Sequence, residues 1–147
     1  MGSKKVLLMG ASGMIGNLIL EECIQSESIR ELILINRKIL EIKSTKVQQI
    51  VHSDFEDYAQ IGHYFKDLDI CYYCLGVYTG QVSNEELEKI TVQYPFSLAK
   101  EIIKFSKNCH FVLLSGEGAD RTERSIFPFA KFKGCIENKL LSLGFKK

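Results

Sequence analysis

Five short apolar runs set the rhythm of this chain: residues 6–9, 32–36, 47–51, 69–75 and 110–115. Each is rich in Val, Ile or Leu and nearly continuous rather than alternating. Parallel strands covered on both faces read this way. Helical patterns lie between them, at 16–25, in a short segment at 58–65, and in a longer one at 84–106. Pro95 interrupts this last pattern, which predicts either two helices or one kinked helix. Beyond Pro95, the residues Phe96, Ala99, Ile102 and Ile103 form an apolar stripe at helical spacing. A final helix is predicted over 129–143, with Gly144 as its stop. Strand and helix in alternation imply an α/β fold, a Rossmann-like doubly wound parallel sheet of five strands in the order 3-2-1-4-5.

The first strand leads into Gly10-Ala-Ser-Gly13-Met-Ile-Gly16 and then into a helix. Strand, glycine turn and helix in that order make a phosphate cradle for a dinucleotide. Gly10 permits a tight turn. Gly13 lets the backbone approach a pyrophosphate, with helix N–H groups aimed at the anion. Gly16 lets the helix lie close on the sheet. Ser12, Met14 and Ile15 complete the cofactor-binding candidates of the turn.

The end of the second strand predicts which dinucleotide. NAD is normally held there by a carboxylate that accepts from the adenosine ribose. Here the position holds Asn36, followed by Arg37 and Lys38. Arg37 can form a charge-assisted fork with a 2′-phosphate, which favours NADP(H); the plainer reading makes both cations ordinary exposed loop residues. Asp54, with Phe55 beside it after the third strand, is placed to accept from the adenine amino group. Leu75-Gly76-Val77 would pass backbone beside the cofactor, and at Gly76 no side chain obstructs a close approach.

Composition narrows the field. The 147 residues suit one domain, 1–147, with one core, and 46% are hydrophobic. A formal net charge of +1 gives no electrostatic reason to expect nucleic acid or a membrane surface as partner. No apolar run approaches the ~20 residues of a membrane span. The N-terminus runs directly into a strand, without a secretory signal. Five scattered cysteines point to reduced thiols and a cytoplasmic setting. Cys71 and Cys74 resemble a redox pair, but three positions apart on a strand they face opposite sides of the sheet. His52, His63 and His110 show no metal spacing. Glu85, Glu86, Glu88 and Lys89 read as the solvated face of a helix. Glu117, Asp120, Arg121, Glu123 and Arg124 read as a solvated loop or a substrate lid.

Five segments fall in order along the chain: Gly10 to Gly16, Asn36-Arg37, Cys74-Leu-Gly76, Leu113-Leu-Ser-Gly-Glu-Gly-Ala-Asp120 and Lys131-Phe-Lys-Gly134. Together they resemble the atypical short-chain dehydrogenases/reductases of the HIV Tat-interacting protein oxidoreductase and NmrA-like NAD(P)-binding group. The resemblance covers essentially the whole chain. It implies an oxidoreductase fold binding NADPH, with a Ser and a Tyr-x-x-x-Lys helix as catalytic groups. The matching positions are Ser115, Phe129 and Lys133. Phe129 departs from the pattern, because a phenyl ring neither donates nor accepts a proton. Lys133 can still hold a ribose and Ser115 can still hydrogen-bond. Tyr78 is a substitute phenol that the resemblance does not place.

Three readings stay open at this level: an NADP(H)-dependent oxidoreductase acting on an unidentified small carbonyl compound, an NADP(H)-binding regulatory or interaction protein without turnover, and the cofactor-binding part of a longer enzyme. If nothing follows Lys147, the fifth strand is an open edge, which a homodimer or another protein partner would protect.

Overall fold

The computed structural model describes residues 3–77 and 80–146; Tyr78 lies outside the described residues. Its elements are β1 (Lys4–Met9), α1 (Met14–Gln25), β2 (Ile29–Asn36), β3 (Val47–Val51), a 3₁₀ helix (Ala59–Phe65), β4 (Ile70–Tyr73), α2 (Asn84–Glu88), a π turn (Lys89–Gln93), α3 (Tyr94–Phe105), β5 (His110–Leu113) and α4 (Pro128–Ser142). The five strands form one parallel sheet in the order β3-β2-β1-β4-β5, as the alternation predicts.

Two apolar layers sandwich the sheet. Leu7, Met9, Ile33, Ile35, Cys71 and Tyr73 point to one side and pack on Phe65, Leu98 and Ile102. Val6, Leu8, Leu32 and Leu34 point to the other and pack on Leu20 and Cys23 of α1. The central strands β1 and β2 bury both faces, which explains their unbroken apolar runs. Cys71 belongs to the first layer and Cys74 packs on the second, so the paired-thiol pattern is divided by the sheet. Burial pushes the Cys71 thiol well above its ordinary range, and that of Cys109 up to about 12. Both are packing groups rather than nucleophiles at neutral pH.

The segment around Pro95 holds two α-helices, α2 and α3, joined without a break by the π turn. The register slips at that turn, with the Tyr94 N–H bonding back five residues to the Lys89 carbonyl. Pro95 has no N–H to give the ordinary ladder, and the wider π turn absorbs that loss. Gly144 ends the last helix with φ +76°, the left-handed conformation expected of a helix stop. The run at 110–115 pairs only as far as Leu113, so Ser115 lies just beyond the strand end. The crossover from β2 to β3 carries no helix, and Leu40 and Ile42 from that loop pack on the second layer. Among the described residues no helix is long and apolar enough to cross a membrane.

Candidate functional site

The glycine turn closes around the end of β1. Gly10 has φ +89°, and a Cβ there would lie 2.8 Å from the Cys74 carbonyl carbon. Gly16 is tighter, with a Cβ meeting the Gly10 oxygen at 1.8 Å. That contact seats the start of α1 on the turn. Gly13 differs, because a Cβ there would sit 3.4 Å from the Gly10 oxygen, an ordinary contact. The protein's own packing therefore does not demand a glycine at 13. Gly13 is also the N-cap of α1, with no side-chain cap and no acidic residue in the first turn. The leading N–H groups of α1 are thus left for an anion.

A cavity of about 650 Å³ opens at the carboxyl ends of the strands. The order of the sheet reverses between β1 and β4, and ligands of open α/β sheets bind at such a switch point. Its walls come from Gly10 and Ser12 of the turn, Asn36, Arg37 and Lys38 after β2, Ser53 and Phe55 after β3, and Leu75, Gly76 and Val77 after β4. Glu86, Ile90 and Tyr94 close it from the helical run. Gly76 has nothing among the described residues within 4 Å of its would-be Cβ, which leaves backbone there open to a ligand. The side chains of Arg37 and Lys38 have no acceptor among the described residues.

The sequence-predicted cofactor set is thus largely brought together. Gly10, Ser12, Arg37, Phe55, Leu75 and Gly76 share one cavity. Gly13 and Gly16 shape the turn behind it. Met14 and Ile15 are exposed on α1 outside the cavity wall. Asp54 is not in the wall either; its carboxylate accepts the Glu56 N–H at 3.1 Å. His52 Nε2 lies 2.6 Å from the Asp54 carbonyl and 2.8 Å from that of Asp57. Two acceptors require Nε2–H as the donor, so His52 is a brace for this loop.

The catalytic candidates lie elsewhere, and their polar atoms are already engaged. The Ser115 hydroxyl donates to Glu137 Oε1 at 2.6 Å. Lys133, only 6% exposed, donates to the Leu114 carbonyl at 2.8 Å. Burial holds its ammonium below the ordinary lysine range, and the Glu137 carboxylate one helical turn along pulls it partly back. The Phe129 ring packs against Gly116, where a Cβ would meet it at 2.7 Å. The Lys133 ammonium sits 5.5 Å from the centre of that ring. None of Ser115, Phe129 and Lys133 lines the large cavity.

In the charged loop beside them Glu117, Arg121, Glu123 and Arg124 are exposed and Asp120 is half-buried, and hydrogen bonds tie the loop together. The Asp120 carboxylate accepts from the Thr122 hydroxyl, at 2.6 Å, and from the N–H groups of Thr122, Arg124 and Ser125. The Thr122 hydroxyl foremost, then these amides, hold its carboxyl below the usual range. Glu85, Glu86 and Glu88 are exposed, but Glu86 also forms part of the cavity wall.

The sequence profile of the NAD dependent epimerase/dehydratase family matches residues 6–125. The chain belongs to this family. Protein HTATIP2 of Rattus norvegicus is 30% identical over all of this chain, which spans 60% of its length. Protein FMP52, mitochondrial, of Meyerozyma guilliermondii is 24% identical over 97% of this chain, covering 61% of its own. These relatives support the atypical short-chain dehydrogenase and NmrA-like NAD(P)-binding group. In three dimensions MoeE5, solved with UDP-glucose and NAD, aligns with a TM-score of 0.76 at 17% identity, over 97% of this chain and 52% of MoeE5. That likeness establishes the fold. Within the epimerase/dehydratase family, the chain is a nicotinamide-dinucleotide-binding, oxidoreductase-like Rossmann domain.

Sequence reasoning missed Glu137, Ser53, Ile90 and Tyr94. Glu137 lay in an ordinary helical pattern, and no local signal tied it to Ser115. Gln49 was missed too, though a glutamine in the middle of an apolar strand is a visible anomaly.

Proposed function

We propose that this domain binds NADP(H) in the large cavity, with the 2′-phosphate of the adenosine ribose against Arg37 and Lys38. The observation that carries this reading is the end of β2. No carboxylate stands there, and Arg37 and Lys38, which have no acceptor among the described residues, border the cavity. The pyrophosphate would lie on the uncapped start of α1, beside Gly13. When bound, the reduced cofactor supplies a hydride, and a small carbonyl compound is the substrate class proposed. The chain must then supply a proton to the carbonyl oxygen. Ser115 carries a transferable proton but donates it to Glu137, and Phe129 has none.

A second reading, binding without turnover, is favoured by that same Phe129. One experiment separates the two. NADPH is titrated by its fluorescence, and its oxidation is then followed with a panel of small aldehydes and ketones, for the wild type and Phe129→Tyr. Saturable NADPH binding with wild-type turnover supports the reductase. Binding with turnover only in Phe129→Tyr supports the second reading. Absence of NADPH binding overturns both.

A further inference from the structure

Gln49 sits in the middle of β3, half-buried, in register with Gln48 and Ile50 against β2. Its side chain does what a strand backbone would do. Oε1 accepts the Leu40 N–H at 2.8 Å, and Nε2 donates to the Leu40 carbonyl at 2.8 Å. Oε1 also accepts from Asn36 Nδ2 at 3.2 Å. One amide therefore ties down both Asn36 and Leu40, the two residues that bracket Arg37, Lys38 and Ile39. The ten residues 37–46 join β2 to β3 with no helix to stiffen them. Backbone freedom in such a loop is lost, at a cost in affinity, when a ligand must order it.

We infer that Gln49 is the positioning residue for recognition of the 2′-phosphate, and that it sets the preference for NADP(H) over NAD(H). Gln49 does not line the cavity, so it acts through the loop it pins. Arg37 and Lys38 are held at the wall before the ligand arrives, and binding does not have to order them. The pinned Asn36 amide fills the position where a carboxylate would repel the phosphate. A leucine or methionine of similar size would fill the same space and pin nothing. The inference rests on the NADP(H) reading above.

The test uses 2′,5′-ADP and 5′-ADP as paired probes, with NADPH and NADH beside them. Dissociation constants are measured for the wild type, Gln49→Met, Arg37→Met and the double variant. In Gln49→Met, the affinities for 2′,5′-ADP and NADPH fall by about tenfold, while those for 5′-ADP and NADH change less than about twofold. In the Arg37→Met background, Gln49→Met costs much less, because the group it positions is gone. A role in general stability would weaken all four ligands alike and add fully to Arg37→Met; that outcome overturns the inference. If the wild type prefers 2′,5′-ADP and Gln49→Met keeps that preference, the inference fails and the NADP(H) reading stands. If the wild type shows no such preference, both fail. Hydrogen exchange on the free wild type gives a check without any variant. The Leu40 amide is expected to be protected, and rapid exchange there overturns the inference.

Discussion

The glycine turn and the start of α4 are built on opposite terms. At the glycine turn, polar groups are left open. Among the described residues the first turn of α1 has no side-chain cap, a Cβ on Gly76 would meet nothing, and Arg37 and Lys38 have no acceptor. At the α4 end the groups are closed on one another. Ser115 is spent on Glu137, Lys133 on the Leu114 carbonyl, and Phe129 on Gly116. Arg37, Lys38 and Gly13 are exposed, so water meets these groups and a ligand can take its place, whereas the Lys133 ammonium is buried and must find its partner within the protein. The first region has the form of a binding site, and the second has the form of a packed support. The difference teaches that an open ligand cradle and a closed side-chain cluster are separate features of this fold, which can be altered one at a time.

The glycines test that contrast with the largest effects. Gly16→Ala drives a methyl group into the Gly10 oxygen, and Gly134→Ala drives one into the Asp120 oxygen at 1.7 Å. Both neighbours are backbone and cannot swing aside. Each variant is expected to lose about 3 kcal/mol or more of stability in urea unfolding. Gly76→Ala meets nothing, and its unfolding midpoint should match the wild type. Its NADPH affinity should still fall, by about fivefold or more, if the ligand passes there. Unchanged NADPH affinity in Gly76→Ala would break the claim that the open side of the cavity is for the cofactor.

Ser115→Ala should sharpen the contrast from the other end. It strips the Glu137 carboxylate of its donor, costing about 1–2 kcal/mol of stability. Calorimetry should find NADPH affinity within about twofold of the wild type. A large loss of affinity would instead place Ser115 in the binding site.

Lys133 gives a pH-dependent version. Burial lowers its folded-state pKa below the ordinary value of about 10.4. Between the two values the unfolded chain holds the extra proton, so this residue's contribution to stability rises with pH. The wild type should therefore gain on Lys133→Met as pH rises through the lowered folded-state value toward the unfolded value of about 10.4. A difference in stability that stays flat over that range would contradict the burial argument.

The smallest expected effect lies under the cavity, at Tyr58. Its hydroxyl is buried with no partner among the described residues, and burial raises its pKa. Tyr58→Phe removes the unpaired group and should stabilise the protein by about 1 kcal/mol in thermal unfolding. Destabilisation would show that the hydroxyl has a bound partner.

The fold was almost fully legible, because its information is local and repeated. Apolar runs such as 32–36 mark strands buried on both faces, and Gly10 and Gly16 mark a turn under a helix. Arg37 was legible because residues at the end of β2 necessarily reach the switch point. What could not be read comes from contacts between distant segments. Glu137 meets Ser115 only after α4 folds back on β5. Gln49 meets Leu40 only after the loop closes over β3. The π turn was hidden for a related reason: Pro95 announces a disturbance, but the surrounding packing decides whether the helix breaks, kinks or widens.

The central claim is that the open end of this domain is an NADP(H) site. Calorimetric titration of the wild-type protein with NADPH and with NADH, at one ionic strength, tests it most directly. The structure predicts that NADPH binds at least about tenfold more tightly. Equal affinities, or tighter binding of NADH, would contradict it.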